Sequence, residues 1–411
     1  MAPEIKSANH AQTASPASAE TTGATSLKAQ WRRSWLHFFA CCSSLFTIGW
    51  VDGSSGPLIP LMQEQFRVNY TLVSLIFIVN AIGCLTAAAI NVYFSGKLAF
   101  GKAIVAGTVT LALTQIRHPI TFGATAQTIA NAIQSSGIRL PFGVFVFSYY
   151  ITGFGVAMQD GQANGYMTGV KRNGATKMGV MHAAYGAGAF AAPLISTQFS
   201  RHPSFWSYFY IVSAGIGILN VTCLIGTFRF KGREECLAEE GEGVGQTAEL
   251  DTLRDADGGQ DTSQTEEVHY KQILKSRAVL LISVFLLSYV GVEVTQGNWS
   301  VSYIISQRNG GSASGYVSAG FFGGLTVGPF QLIVWLVPSL ITGALFISFI
   351  GVFLGPLFPI AMNVCGRTLP PHILTGSIGL TTAFSATGAA IIPFITGAIA
   401  QGAGIWSLQP L

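Results

Sequence analysis

Across 411 residues the chain is half apolar and only 10% charged, with 22 Lys and Arg against 18 Asp and Glu and a formal net charge of +4. A soluble globular chain carries about 25% charged residues, so an ordinary water-soluble enzyme is excluded, and a positive excess this small and scattered does not point to nucleic acid. Of the 40 charges, 25 fall within residues 1–33 and 229–277, leaving 15 for 329 residues that cannot cover themselves in polar surface and must face lipid.

Residues 1–30 are rich in Ala, Ser and Thr and hold no apolar block, so the segment up to residue 33 reads as a disordered cytosolic tail and not as a signal peptide. From Trp35 onward come apolar stretches long enough to cross about 30 Å of hydrocarbon, which takes roughly 20 helical residues. Six of them, near 35–60, 71–94, 103–134, 141–168, 176–199 and 205–228, make an N-terminal bundle over 34–228. Four more, near 278–305, 313–335, 338–363 and 373–400, make a second bundle over 278–411. Between the bundles, residues 229–277 hold twelve of the acids, flanked by Arg229, Lys231 and Arg233 before them and Lys271, Lys275 and Arg277 after. Such a composition cannot bury enough apolar surface to fold, so the segment reads as a cytosolic linker. The expected fold class is all-α, a polytopic membrane protein of about ten spans.

With the tail in the cytosol, fifteen Lys and Arg border the inner ends of the spans, and only Arg67, Arg139, Arg201 and Arg308 border the outer ends. That is the asymmetry the positive-inside rule requires. Asn69 then opens an N-x-T triplet in the first outer loop and is a glycosylation acceptor. The expected location is the plasma membrane or the vacuolar membrane. Six cysteines show no C-x-x-C or Cys/His spacing, so they read as packing residues with no disulfide framework and no metal site.

Outside the tail and linker four acids remain, and three of them, Asp52, Asp160 and Glu293, lie within predicted spans. A carboxylate there costs several kcal/mol unless it is neutral, paired, or facing a polar cavity. One that is alternately buried and hydrated is a natural proton carrier, and all three are candidates for that role; capping of a broken helix is the competing reading. Gly53, Gly56, Pro57 and Pro60 follow Asp52 and are expected to loosen the helix there. Asp160 and Asn164 are one turn apart and share a face, with Gln159 adjacent, while Glu293, Gln296 and Ser300 form another polar stripe beside Asn298 and Trp299. Carboxyls, amides and an indole around one passage suit a hydroxyl-rich solute, because amides bond hydroxyls and aromatic rings cover apolar sugar faces. His182 and Tyr185 join that path or serve packing; Gly186, Gly188 and Ala192 read as small residues that let helices approach closely. An acid falls late in the first span of each half, an internal echo of the kind secondary transporters show. No phosphate-binding loop, no nucleophile with a base and no H-E-x-x-H spacing is present, so neither ATP, a cofactor nor a catalytic residue is expected.

GWVDGSSGPLIPLMQ, GFGVAMQDGQANG, MHAAYGAGAFAAP, the run from Gly291 through NWSVSYIISQRNGGSASGYVSAGFFGGLTVG, LGPLFPIAMNV and LTGSIG resemble fungal members of the major facilitator superfamily related to the fucose:proton symporters, over most of residues 34–408. The resemblance implies two six-helix bundles around a central site with alternating access, and proton-coupled uptake of hexoses. It makes Asp52 and Asp160 the leading proton-coupling residues and puts Glu293, Asn298, Trp299 and Asn363 on the cavity side of the seventh and tenth helices.

Three departures accompany it. A ninth helix is missing where Gly328 runs into Pro329, the twelfth is missing after Leu411, and Arg117, His118 and Pro119 interrupt the third, as if Gly107 should continue at Ala124. The expected function is proton-coupled symport of a sugar or other small polar solute by a monomer in the lipid bilayer, with protons and that solute as its partners. The residues leave two rivals open: efflux of an apolar metabolite, and a transporter-like sensor that signals through the linker.

Overall fold

The computed structural model describes residues 16–97, 119–170, 172–229, 231, 233–240, 275–323, 347, 357–369 and 371–408. The rest of the third span, most of the linker and the 328–329 junction lie outside the described residues. Within those limits the chain is all helical. Its elements are α1 (Pro16–Phe66), α2 (Tyr70–Val73), α3 (Leu75–Lys97), α4 (Pro119–Ser135), α5 (Phe142–Gly169), α6 (Gly174–Ser200), α7 (Phe209–Phe228), α8 (Arg233–Glu239), α9 (Arg277–Arg308), α10 (Gly315–Gly323), α11 (Leu357–Thr368) and α12 (Pro371–Ala403).

Among the described residues, seven stretches are long and apolar enough to cross a bilayer: Gln30–Phe66, Tyr70–Ala88, Phe142–Met167, Thr176–Ser200, Trp206–Phe228, Arg277–Arg308 and Leu380–Ala403. They coincide with seven of the expected spans. Leu219 and Leu281 are each 71% exposed, a placement that water would penalise and acyl chains do not. The protein is an integral, multi-pass membrane protein.

Helix pairing repeats between the halves. In the first half α1 packs along α6, and in the second α9 packs along α12. Across the halves, α3 meets α12 and α6 meets α10, so the second and fifth helices of each bundle exchange partners about an approximate two-fold. Small residues make the close pairs: a Cβ at Gly49 would fall onto the Tyr185 carbonyl, one at Gly188 onto that of Phe46, and one at Gly388 onto that of Leu287. Ala192 is fully buried, but Gly186 has nothing near its missing Cβ and instead borders a cavity, against its expected packing role.

Four other expectations change. Helix α1 runs unbroken through Pro57 and Pro60, because Gly53 and Gly56 are used for close approach, to Ala189 and to the Gly297 carbonyl, and not for unwinding. The same helix begins at Pro16, inside the expected tail; once a long apolar helix is nucleated, extending it by polar residues is inexpensive. The first part of the linker is folded as α8, with Cys236 and Leu237 buried. In α4, Ile120 and Thr121 are buried and Gly123 lies against Gly155, so the residues from Pro119 onward belong to the packed third helix.

Candidate functional site

A cavity of about 660 Å3 lies between the two halves, and Asp52, Asp160, His182, Tyr185, Glu293 and Asn298 all line it. Asp52 arrives there because Gly49 and Gly53, on either side of it, seat α1 against α6, which brings Tyr185 opposite. The Tyr185 hydroxyl donates to Asp52 Oδ2 at 3.1 Å. On α5, Asn164 Nδ2 donates to Asp160 Oδ1 at 2.8 Å, the one-turn pairing that the sequence spacing predicts. On α9, Glu293 is 6% exposed and is hydrogen-bonded by Tyr289, one turn earlier.

Among the described residues none of these acids is in an ion pair; the salt bridges there all involve Glu239 or Glu240 at the cytosolic end. His182 Nδ1 donates to the Met178 carbonyl at 3.0 Å. Its ring centroid is 5.6 Å from that of Phe358 on α11. Asn298 is 4% exposed; its Nδ2 donates to the Val294 carbonyl at 2.8 Å, and its buried Oδ1 has no partner among the described residues.

Three of the sequence candidates, Gln159, Asn164 and Trp299, stand apart from the cavity lining. Gln159 is fully buried within the first bundle, where its Nε2 donates to Gln127 Oε1 at 2.5 Å and its Oε1 accepts from Asn220 Nδ2 at 2.9 Å. Trp299 points to the outer side; its Nε1 donates to the Pro393 carbonyl at 3.1 Å, and its ring meets Tyr70 edge-on. Asn363 is on α11, and its side chain lies outside the description. Asn69 caps α2, with Oδ1 accepting from the Leu72 amide at 2.9 Å. Asn80, Tyr149, Tyr289, Phe358 and Ser385 line the cavity without having been singled out. Tyr289 could have been found at its one-turn spacing from Glu293, and Asn80 as a lone amide in an apolar run. Among the described residues no group of three or more His, Cys, Asp or Glu is placed to hold a metal ion.

Polar contacts join the halves at the helix ends near Arg201 and Gln401. Gln198 on α6 hydrogen-bonds the Tyr316 hydroxyl on α10, with the Arg201 guanidinium 5.8 Å from the Tyr316 ring. The Tyr70 amide donates to Gln401 Oε1 at 3.1 Å. Trp299 lies beside Pro393 and Tyr70.

Comparison with known proteins agrees with this architecture. Residues 41–335 match the sequence pattern of the Major Facilitator Superfamily. Bypass of stop codon protein 6 of Saccharomyces cerevisiae is 25% identical over 414 residues, spanning 90% of this chain and 78% of its own length. The proton:xylose symporter XylE bound to 6-bromo-6-deoxy-D-glucose superposes with a TM-score of 0.64 at 12% identity, over 92% of this chain and 93% of that one. A POT family transporter in complex with 5-aminolevulinic acid gives 0.61 at 13% identity, over 91% of each chain. A point mutant of the nucleoside transporter NupG gives 0.61 at 10% identity, over 91% of this chain and 95% of that one. At such identities the structural likeness carries the fold.

Proposed function

Since the chain belongs to the Major Facilitator Superfamily, and is accordingly a secondary transporter and not an enzyme, we propose that it couples protons to a sugar or another small polar solute by alternating access. The observation that carries this reading is the meeting of Asp52 and Asp160 from one bundle with Glu293 from the other around a single cavity. Membrane carboxyls without ion-pair partners are expensive to keep charged, and each can take up a proton when the cavity dries and release it when water returns. Because the two bundles both contribute, rocking one against the other changes the surroundings of all three acids at once.

In this reading Asp52 and Asp160 carry the proton, with Tyr185 and Asn164 positioning them. Glu293 connects the second bundle to the same event. Asn298, His182 and Tyr185 touch the solute, and Asn363 is placed with them by its position on α11. Gln159 and Trp299 act from behind the lining, one by bracing α5 and the other by closing the outer side. The working unit is one chain, in the plasma or vacuolar membrane, and Asn69 carries a glycan on the outer face.

The test is solute-driven proton movement in sealed vesicles containing the purified protein, read with an internal pH dye. Asp52→Asn and Asp160→Asn should each abolish the pH signal while solute exchange at equal concentrations continues. If the double variant still acidifies the vesicle interior as fast as the wild type, the acids are not the carriers.

A further inference from the structure

Resting on the transporter reading, we propose that the solute carries a cationic amine, which the cavity receives at Glu293 and Asn298. The lining holds three carboxyl groups and, among the described residues, neither Lys nor Arg. Residues 324–356, of which only Ile347 is described, contain no charged residue at all. A site built for a neutral sugar needs donors and acceptors in balance, since each hydroxyl both gives and takes a hydrogen bond. Here three donors in or beside the lining are already committed. Asn298 Nδ2 is tied to the Val294 carbonyl, the Tyr185 hydroxyl to Asp52, and the Asn164 amide to Asp160.

What remains uncommitted is acceptor capacity. Asn298 Oδ1 is buried with no partner among the described residues, and an acceptor so placed points to a donor-bearing ligand. Glu293 lies five residues earlier on the same helix and is 6% exposed. An ammonium offers three donors and one positive charge, so it can satisfy the Glu293 carboxylate and the Asn298 carbonyl together while offsetting the charge of a desolvated acid. Aromatic rings of Tyr185, Tyr289 and Phe358 border the same space and offer their faces to a cation. A proton on Asp52 or Asp160 leaves Glu293 free to serve as the counter-ion, so coupling and recognition fall to different carboxyls.

The experiment compares D-glucosamine and tyramine, both cations, with D-glucose and N-acetyl-D-glucosamine, which are neutral. Thermal stabilisation of the purified full chain and solute-driven proton flux in vesicles are the two readouts. At least one cation should bind tenfold or more tightly than both neutral sugars, and Glu293→Gln should remove that preference with the protein still folded. The conservative Glu293→Asp should restore part of it. Equal or tighter binding of D-glucose, or no stabilisation by either cation, would overturn the inference. Glucose-driven proton flux in that case leaves proton-coupled transport standing. Cation flux that ignores the pH gradient would instead remove the coupling reading and keep the amine.

Discussion

The hydroxyl of Tyr185 reaches Asp52 across the crossing of α1 and α6, and the geometry of that crossing fixes what substitutions on either side should do. A hydrogen bond to a charged acceptor contributes about 1.5–3 kcal/mol, so Tyr185→Phe should slow proton-driven uptake about tenfold or more without unfolding the protein. An unchanged rate would show that the hydroxyl does not serve Asp52. One turn away, Gly49→Ala puts a methyl onto the Tyr185 carbonyl, whereas Gly215 on α7 has nothing within 4 Å of its missing Cβ. Gly49→Ala should therefore cost about 1–3 kcal/mol and lower the unfolding temperature in detergent, while Gly215→Ala should be neutral or stabilising by up to ~1 kcal/mol. Equal melting of the two variants would argue against the close crossing. Asp52, Asp160 and Glu293 were legible in the sequence because charge within an apolar run is costly enough to demand a reason. Gln159 and Trp299 were harder, since each is next to a cavity residue in the chain, and neighbours on a helix point about 100° apart. Here Asp160 and Asn298 line the cavity and their neighbours Gln159 and Trp299 do not.

At the level of elements, α8 shows how composition averaged over a long segment can hide a short folded piece. The 229–277 linker as a whole is too acidic to fold, yet its opening EECLAE places Cys236 and Leu237 inward and delivers Glu240 to the base of the first bundle. There Glu240 pairs with His37 Nδ1 and accepts from the Tyr166 hydroxyl, its side chain only 1% exposed. Glu239 pairs with Lys231 and, at 3.2 Å, with Arg33. Burial pushes the Glu240 carboxyl up, but hydrogen bonds from His37, Tyr166 and Ser34 outweigh it and hold the group below the ordinary glutamate range. A depressed carboxyl contributes stability that is complete above its ordinary value of 4.5 and is lost as pH falls through the lower, folded value. Docking of α8 should therefore persist at neutral pH and loosen only in acid below 4.5. Cys236 is the reporter, a buried thiol pushed up to about 11. In a variant with the other cysteines replaced, a pyridyl disulfide should label it slowly at neutral pH. Glu240→Ala removes bonds worth roughly 1.5–3 kcal/mol and should speed labelling about tenfold or more. Fast labelling of the parent protein would mean that α8 is not docked. Hydropathy located the spans but not this helix, because seven residues give too short a pattern to stand out from their acidic surroundings.

For the molecule as a whole, apolar length predicts how many helices cross and says nothing of which helix meets which. The pairing of α1 with α6 and of α9 with α12 was foreshadowed only by small residues and by an acid late in the first span of each half. The contacts that determine the present state could not be read at all, since Gln198 and Tyr316 are 118 residues apart and polar at helix ends, where polar residues are ordinary. Yet these contacts, with the Tyr70 amide on Gln401 and the Tyr70 ring on Trp299, join the two bundles. Alternating access requires them to part in the other state while the α1–α6 and α9–α12 crossings stay intact within their bundles. The Gln198–Tyr316 and Tyr70–Gln401 bonds are exposed and worth about 0.5–1.5 kcal/mol each, so thermal motion can break them, and a covalent tether cannot be broken in that way. Gln198→Cys paired with Tyr316→Cys and bridged by a short bis-maleimide should hold the outer side shut and stop vesicle uptake from that side. Solute should still bind from the cytosolic side, with an affinity within about threefold of the untethered protein, since the cavity residues are untouched. Tethering that leaves the uptake rate unchanged would mean that α6 and α10 do not separate during transport, and rocking of the two bundles would have to be replaced by a smaller motion around the cavity.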